Sequence, residues 1–234
     1  MRVLLTRPLE DSRATAARLA ALGHTCLISP LLTIHERAGP ALDLADVQGL
    51  VVTSINGARA LAHRTTRRDL PVYAVGTQTA AELQQNGFSA VKDADGDAIA
   101  LANAIAGWTV PGSGPLLHLG GADVSGKLRT RLAELGFDLR REILYDAHAA
   151  HSLTGEAQTA LRNGALDVVL LYSPRSAEAF VRCATKAGLV EACRKIIAAV
   201  ISPAAADKAN ALPFAAVRSA AHPSEKYLLD LLRR

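Results

Sequence analysis

The hexapeptide Arg-Leu-Ala-Ala-Leu-Gly occupies residues 18–23, and Arg-Leu-Ala-Glu-Leu-Gly occupies residues 131–136, 113 positions later with one change. Six letters shared by a Leu- and Ala-rich chain say little alone, so the weight falls on what surrounds them. Ahead of the first copy lies an apolar strand pattern over residues 2–6. A helix pattern follows from about Asp11 to Leu22, which Asp11 or Ser12 can cap and Gly23 stops. Ahead of the second copy, residues 116–119 repeat the strand, and Gly120-Gly121 stand where Arg7-Pro8 stood. Ser125 falls 113 positions after Ser12, Leu132 after Leu19, Gly136 after Gly23 and His148 after His35. A long strand pattern follows each copy, over residues 25–35 and 138–147; Pro30 bends the first or confines it to an edge. The ordered match of strand, helix, glycine stop and long strand implies duplication. Its period is far longer than the roughly 20–50 residues of a solenoid repeat, so the duplicated object is a domain-sized α/β unit.

A second block repeats more loosely. Residues 49–53 form a buried strand pattern that runs into Ser54-Ile55-Asn56-Gly57 and a helix. Residues 71–75 form another, followed by Gly76-Thr77-Gln78-Thr79 and a helix ending near Asn86-Gly87. A weak strand near residues 90–92 precedes a helix from about residue 96 to 106, and Pro111-Gly112-Ser113-Gly114-Pro115 punctuates the chain. Strands over residues 167–172, 196–200 and 214–217 and a last helix capped by Ser224 repeat the block, with spacing drifting from 119 to 125 residues. Loop insertions absorb such drift at little cost in closure entropy. Strands alternating with helices predict parallel sheets flanked by helices, in two α/β domains of similar fold.

Apolar residues make up 50% of the chain, enough for two aliphatic cores, yet no run approaches the ~18 needed to span a bilayer. The short, Arg-bounded N-terminal apolar run does not read as a signal peptide, so a cytoplasmic protein without membrane contact is expected. Cys26, Cys183 and Cys193 form no CxxC pair and read as reduced, buried thiols. The net charge of +4 is modest, and its cations are scattered without the basic runs of a nucleic-acid binder. Twenty of the 26 cations are arginines, the side chain suited to bidentate grip on carboxylate or phosphate. A small anionic ligand fits this balance better than a polyanion.

Ligands of open parallel sheets gather beyond the carboxyl ends of the strands. The residues placed there are Thr6-Arg7, Thr53-Ser54-Ile55-Asn56, Gly76–Thr79, Gly120-Gly121, Ser173-Pro174-Arg175-Ser176 and Ser202-Pro203. Most are small or hydroxyl-bearing and open a helix, where free backbone N–H groups favour anions; each could equally be a routine helix cap. The nucleotide fingerprints GxGxxG and GxxxxGK[ST] are absent, which counts against a nucleotide-using transferase. No nucleophile-elbow or acid–base carboxylate pair stands out. His148 and His151, three apart in a linker, read as surface residues, so no metal is expected. A two-lobed module binding a small anion or effector without catalysis shares the two-domain plan, and is the alternative to an enzyme.

Taken together, "VLLTRP" from Val3, "GLVVTSINGARAL" from Gly49, "PVYAVGTQTAAEL" from Pro71, "LHLGGADVSGKLRTRLAELG" from Leu117, "LYDAH" from Leu144, "VVLLYSPRSAEAF" from Val168 and "AAVISPAAADKA" from Ala198 resemble, in order, the blocks of the uroporphyrinogen-III synthases. The resemblance implies two α/β domains joined by a two-stranded β-ladder: residues 1–32 with 152–234 as a discontinuous domain, residues 38–143 as the other, and crossing strands at 33–37 and 144–151. The repeat alone does not choose this pairing over two sequential halves.

The resemblance also implies a cofactor-independent lyase of tetrapyrrole (haem, cobalamin or chlorophyll) synthesis. Such an enzyme closes the linear octacarboxylate hydroxymethylbilane into uroporphyrinogen III. Water leaves the terminal hydroxymethyl group, the resulting azafulvene is attacked by the far pyrrole through its substituted carbon, and the spiro intermediate reopens and recloses with that ring inverted. A monomer is expected, with transient contact to the preceding enzyme of the pathway. By motif position Tyr145 matches the family's crossing-strand tyrosine and would help the hydroxyl leave. Arg7, Thr53, Ser54, Asn56, Thr79, Gly120, Ser173, Arg175 and Ser202 would bind substrate, Arg7 and Arg175 gripping carboxylates. The block Ser202-Pro203-Ala204-Ala205 departs from the family pattern: it lacks a hydroxyl at Ala204 or Ala205, so that contact falls to Ser202 or the backbone.

Overall fold

The computed structural model describes residues 1–122 and 126–233. The strands are β1 (Arg2–Leu5), β2 (Thr25–Ile28), β3 (Leu32–Glu36), β4 (Gly49–Val52), β5 (Val72–Ala74), β6 (Val91–Asp93), β7 (Leu116–Gly121), β8 (Leu139–Ala149), β9 (Val168–Leu171), β10 (Ile197–Val200) and β11 (Ala216–Ser219). The helices are α1 (Leu9–Ala21), α2 (Ile55–Arg64), α3 (Thr77–Gln85), α4 (Ala98–Trp108), α5 (Lys127–Glu134), α6 (Gly155–Arg162), α7 (Pro174–Lys186), α8 (Pro203–Ala209) and α9 (Glu225–Asp230). None among the described residues is long and apolar enough to cross a membrane.

The chain folds as two units. Unit 1 comprises residues 1–33 and 148–234, and unit 2 residues 34–147. Unit 1 is built on a parallel sheet ordered β2-β1-β9-β10-β11. Unit 2 is built on the parallel set β8-β7-β4-β5-β6, with β3 added outside β8. Counted along the chain, unit 1 has strand order 2-1-3-4-5, and unit 2 has the same order when counting starts at β7. The two units are therefore one fold, circularly permuted relative to each other.

Both sheets are covered on both faces, as βαβ crossovers require. In unit 1, Leu4, Val169, Leu171, Ala198 and Val200 pack on one face with Phe180 of α7. Val3, Leu5, Val168, Leu170 and Ala199 pack on the other with Leu19 of α1 and Leu228 of α9. In unit 2, Leu50, Val52, Leu117 and Leu119 face Leu61 and Leu83, while Val51, Tyr73 and Leu116 face Leu101, Ile105 and Leu132.

The repeated hexapeptide is the same helix ending built twice. Gly23 (φ 78°) and Gly136 (φ 81°) adopt the left-handed conformation that a helix stop of this type requires. Gly23 N–H donates to Ala20 O and His24 N–H to Leu19 O, while Gly136 N–H donates to Ala133 O and Phe137 N–H to Leu132 O. Leu19 and Leu132, the residues whose carbonyls accept, are both fully buried. Ser125, the counterpart of Ser12, lies outside the described residues.

Four local expectations are corrected. The strand expected over residues 25–35 is two strands, β2 and β3, in different sheets; Pro30 cannot donate to a ladder, and the chain leaves one sheet there. Neither Asp11 nor Ser12 caps α1. Pro8 holds that position; Ser12 lies inside the first turn with its hydroxyl donating to Arg7 O, 2.9 Å. Ser224 stands at the start of α9 without a side-chain capping bond. The last strand, expected over residues 214–217, is displaced to Ala216–Ser219, because pairing with β10 rather than local apolarity sets its ends.

Candidate active site

Sheets of order 2-1-3-4-5 reverse direction once, and the crevice beyond the strand ends at that reversal is where ligands bind. In unit 1 the reversal lies between β1 and β9, in unit 2 between β7 and β4. The residues just beyond those strands are Thr6-Arg7 and Tyr172-Ser173 in unit 1, and Ala122 and Thr53-Ser54 in unit 2.

In unit 2, Ser54 is the N-cap of α2, with its hydroxyl accepting from Gly57 N–H at 3.0 Å. The same hydroxyl lies 2.9 Å from the phenol oxygen of Tyr145 on β8. Tyr145 is 9% exposed, so its ring is anchored while its oxygen is held by an already fixed serine. Asn56 occupies the second position of α2 and is half-buried; Thr79 occupies the third position of α3 and is 5% exposed. The structure thus brings Tyr145 and Ser54 into direct contact. Thr53 lies at the same strand end with its side chain engaged elsewhere.

That engagement involves a residue sequence reasoning missed. Thr53 Oγ1 lies 3.2 Å from Nε2 of His118 on β7, which is buried at 4% exposure. Gly120, two residues on, lies beside the pair: a Cβ there would stand in ordinary contact with His118 Nε2, at 3.6 Å. One signal was legible, a lone polar residue inside the apolar run Leu116–Leu119. Burial, then the positive charges of Arg141 and Arg129, lower the His118 pKa from 6.5 to about 4. Between those values the folded protein keeps His118 neutral while the unfolded chain takes up a proton. Stability therefore declines as pH falls from about 6.5 to 4, by roughly 3 kcal/mol from this group. Denaturant titrations across that range should show a shallower decline in His118→Gln than in wild type; parallel curves would remove His118 as the cause.

In unit 1, Arg7 is engaged by its own chain. Its guanidinium lies 3.3 Å from Asp11 and 3.2 Å from Glu225, and stacks 4.7 Å from the centroid of the Tyr172 ring. At 14% side-chain exposure it is half-buried and paired with two carboxylates of its own chain. Glu225, 3% exposed, also accepts from Thr15 at 2.6 Å, Arg18 at 2.5 Å and the Tyr172 hydroxyl at 3.2 Å. Burial opposes its ionisation, but the Thr15 hydrogen bond and the charges of Arg7 and Arg18 outweigh it and hold its carboxyl below the ordinary range. Burial, and then the Glu225 charge, push the Tyr172 phenol pKa up. One of its two acids, Asp11, lies four residues on, while the other, Glu225, stands 218 residues away.

The other unit 1 residues sit at helix starts. Ser173 caps α7 in a reciprocal capping box with Ser176, both N–H···Oγ bonds being 3.0 Å. Pro174 and the half-buried Arg175 are the first two residues of α7. Ser202 caps α8, accepting from Ala205 N–H at 3.4 Å; Ala205 is fully buried and Ala204 exposed. Both helix starts aim backbone donors past the strand ends.

Among the described residues, no group of three or more His, Cys, Asp or Glu side chains is placed to hold a metal ion. Cys183 and Cys193 are buried, and burial raises the Cys193 pKa to about 11, so both behave as small apolar side chains.

A sequence profile described as "Uroporphyrinogen-III synthase HemD" matches residues 13–230. Among solved structures, uroporphyrinogen-III synthetase from Helicobacter pylori 26695 is 20% identical, with 99% of this chain and 98% of that one covered and a TM-score of 0.64. A mutant uroporphyrinogen III synthase from the extremely thermophilic bacterium Thermus thermophilus is 17% identical, with 100% and 98% covered and a TM-score of 0.58. At those identities the two structures establish the fold alone. No curated protein matches by sequence.

Proposed function

This chain belongs to the uroporphyrinogen-III synthase family, whose members are cofactor-independent cyclising enzymes of tetrapyrrole synthesis acting on hydroxymethylbilane, and we propose that Tyr145 is its proton donor. The observation that carries the reading is the Tyr145–Ser54 contact of 2.9 Å at the strand-order reversal of unit 2. A phenol whose oxygen is fixed by a capped serine can hold its O–H towards the terminal hydroxymethyl group. When that C–O bond breaks, the phenol proton goes to the departing oxygen and water leaves. The azafulvene carbon is then attacked by the far pyrrole through its substituted carbon; the spiro intermediate reopens and recloses through that ring's free carbon, and the proton this carbon loses on restoring aromaticity replaces the one given up. Because the reactive cation also forms spontaneously, the enzyme's main task is to hold one conformer of the chain.

The substrate's carboxylates need charge-assisted or backbone donors. In unit 1 we assign them Arg175 and the starts of α7 and α8, with Ser173 and Ser202 as hydroxyl donors. In unit 2 we assign Ser54, Asn56, Thr79 and the Gly120 strand end, with Thr53 held by His118. Ala204 and Ala205 carry no hydroxyl, so Ser202 and the α8 backbone serve there. A cytoplasmic monomer that meets the preceding pathway enzyme transiently completes the reading, since a substrate that closes spontaneously to the wrong isomer favours short transit. No observation favours a binding module without catalysis.

The test supplies freshly generated hydroxymethylbilane and separates the oxidised products. Isomer III is expected, formed in proportion to protein added. Isomer I alone, at the rate seen without protein, would defeat the proposal.

A further inference from the structure

The pairing of β7 with β8 contains a break. The register runs from Leu116 opposite Leu139 to Gly120 opposite Ile143, and then jumps to Gly121 opposite Tyr145. Leu144 is the extra residue, a bulge of a kind uncommon in parallel sheets. Since strand side chains alternate, one extra residue sends everything after it to the opposite face. Leu139, before the bulge, packs with Leu116, Leu128 and Leu132. Tyr145, beyond the bulge, packs with Leu117, Leu119 and Ala58 on the other face, and the inserted Leu144 packs there too. Unbroken alternation from Leu139 would have placed Tyr145 on the face away from Ser54.

Having arrived on that face, the ring needs space, and the residue opposite supplies it. A Cβ at Gly121 would lie 2.8 Å from both Cε2 and Cζ of Tyr145 and 3.1 Å from its hydroxyl oxygen. Gly121 is not among the glycines with positive φ, so its backbone would accept alanine. The three nearest atoms all belong to that ring, to its stiff body rather than a flexible end. The strand end that carries Gly121 is itself pinned. Ala122 N–H donates to Tyr145 O at 3.1 Å, and Arg141 donates to the carbonyls of Gly121 and Ala122 at 2.6 Å each. A methyl group at Gly121 would therefore displace the phenol, and with it the oxygen shared with Ser54.

We infer that Gly121 is a positioning residue, whose missing side chain, together with the β8 bulge, aims the Tyr145 hydroxyl at Ser54. This rests on Tyr145 being the proton donor, and the experiment separates the two ideas. Gly121→Ala, Tyr145→Phe and the double variant are assayed for isomer III formation with kcat and KM resolved. Gly121→Ala alone should lower kcat by about 10–100-fold with KM little changed. In the Tyr145→Phe background it should lower kcat hardly further, because the hydroxyl it misplaces is already gone. A Tyr145→Phe enzyme of full activity overturns the proton-donor reading. A Tyr145→Phe enzyme that is impaired beside a Gly121→Ala enzyme that is not overturns the role of Gly121, as do fully multiplicative losses. Should Gly121→Ala fail to fold, Gly121→Ala/Tyr145→Ala should fold as Tyr145→Ala does, since the conflicting ring is removed; a double variant that also fails to fold overturns the inference.

Discussion

Tyr145→Phe should form isomer III with a kcat reduced by about 10–100-fold, the range by which a positioned general acid accelerates a step. The substitution keeps the ring that packs against Leu117, Leu119 and the Gly121 backbone. What it removes is one hydroxyl and one hydrogen bond to Ser54, at 2.9 Å. A net hydrogen bond is worth about 1 kcal/mol, so the variant should remain folded and its thermal midpoint should move by only a few degrees. Substrate carboxylates are held elsewhere in the proposal, so KM should change less than kcat. Wild-type turnover in the variant would return Tyr145 to a packing role; a large fall in midpoint alongside the lost activity would make the loss structural.

The largest effect on stability is expected at Glu225. Glu225→Ala removes the shared acceptor of Arg7, Arg18, Thr15 and the Tyr172 hydroxyl. Arg18 can turn to water, being 53% exposed, but Arg7 at 14% cannot do so fully. Breaking a buried pair by deleting one partner typically costs about 3–5 kcal/mol; with Asp11 still beside Arg7, about 3 kcal/mol is expected. For a chain of this size that is a midpoint lower by roughly 6–12 °C. Arg7→Ala should follow the same pattern, with stability falling more than KM rises. Thermal melts of both variants with their steady-state constants decide the matter. Unchanged melting with raised KM would restore Arg7 as a carboxylate ligand.

The contrast between those two sites shows what can be read from a sequence. The Tyr145 neighbourhood was partly legible because its pieces are local motifs: a serine opening a helix after an apolar strand, and a glycine pair ending another. The contact itself was not, because Ser54 and Tyr145 are 91 residues apart and meet only through the order of strands. His118 was passed over for the same reason. A histidine inside an apolar run acquires meaning only when Thr53, 65 residues away, is placed beside it. An arginine at a strand end, such as Arg7, looks unengaged until α9 is docked against it. Glu225 sits on that helix, and nothing near Arg7 in sequence announces it.

Short-range chemistry, legible in the order of residues, sets the local vocabulary of this fold: apolar runs of strand length, helices that open on Ser and close on Gly, and the duplicated order of both. Its sources are side-chain alternation, the orphan donors at helix starts, and the left-handed backbone at Gly23 and Gly136. The repeat is equally consistent with either pairing; packing joins the first 33 residues to the last 87 rather than to their sequence neighbours. Packing likewise makes Leu144 one residue too many for its ladder, and so chooses the face that Tyr145 takes. Strand partners and register are fixed by burial summed over both faces of a sheet, a quantity no single segment contains.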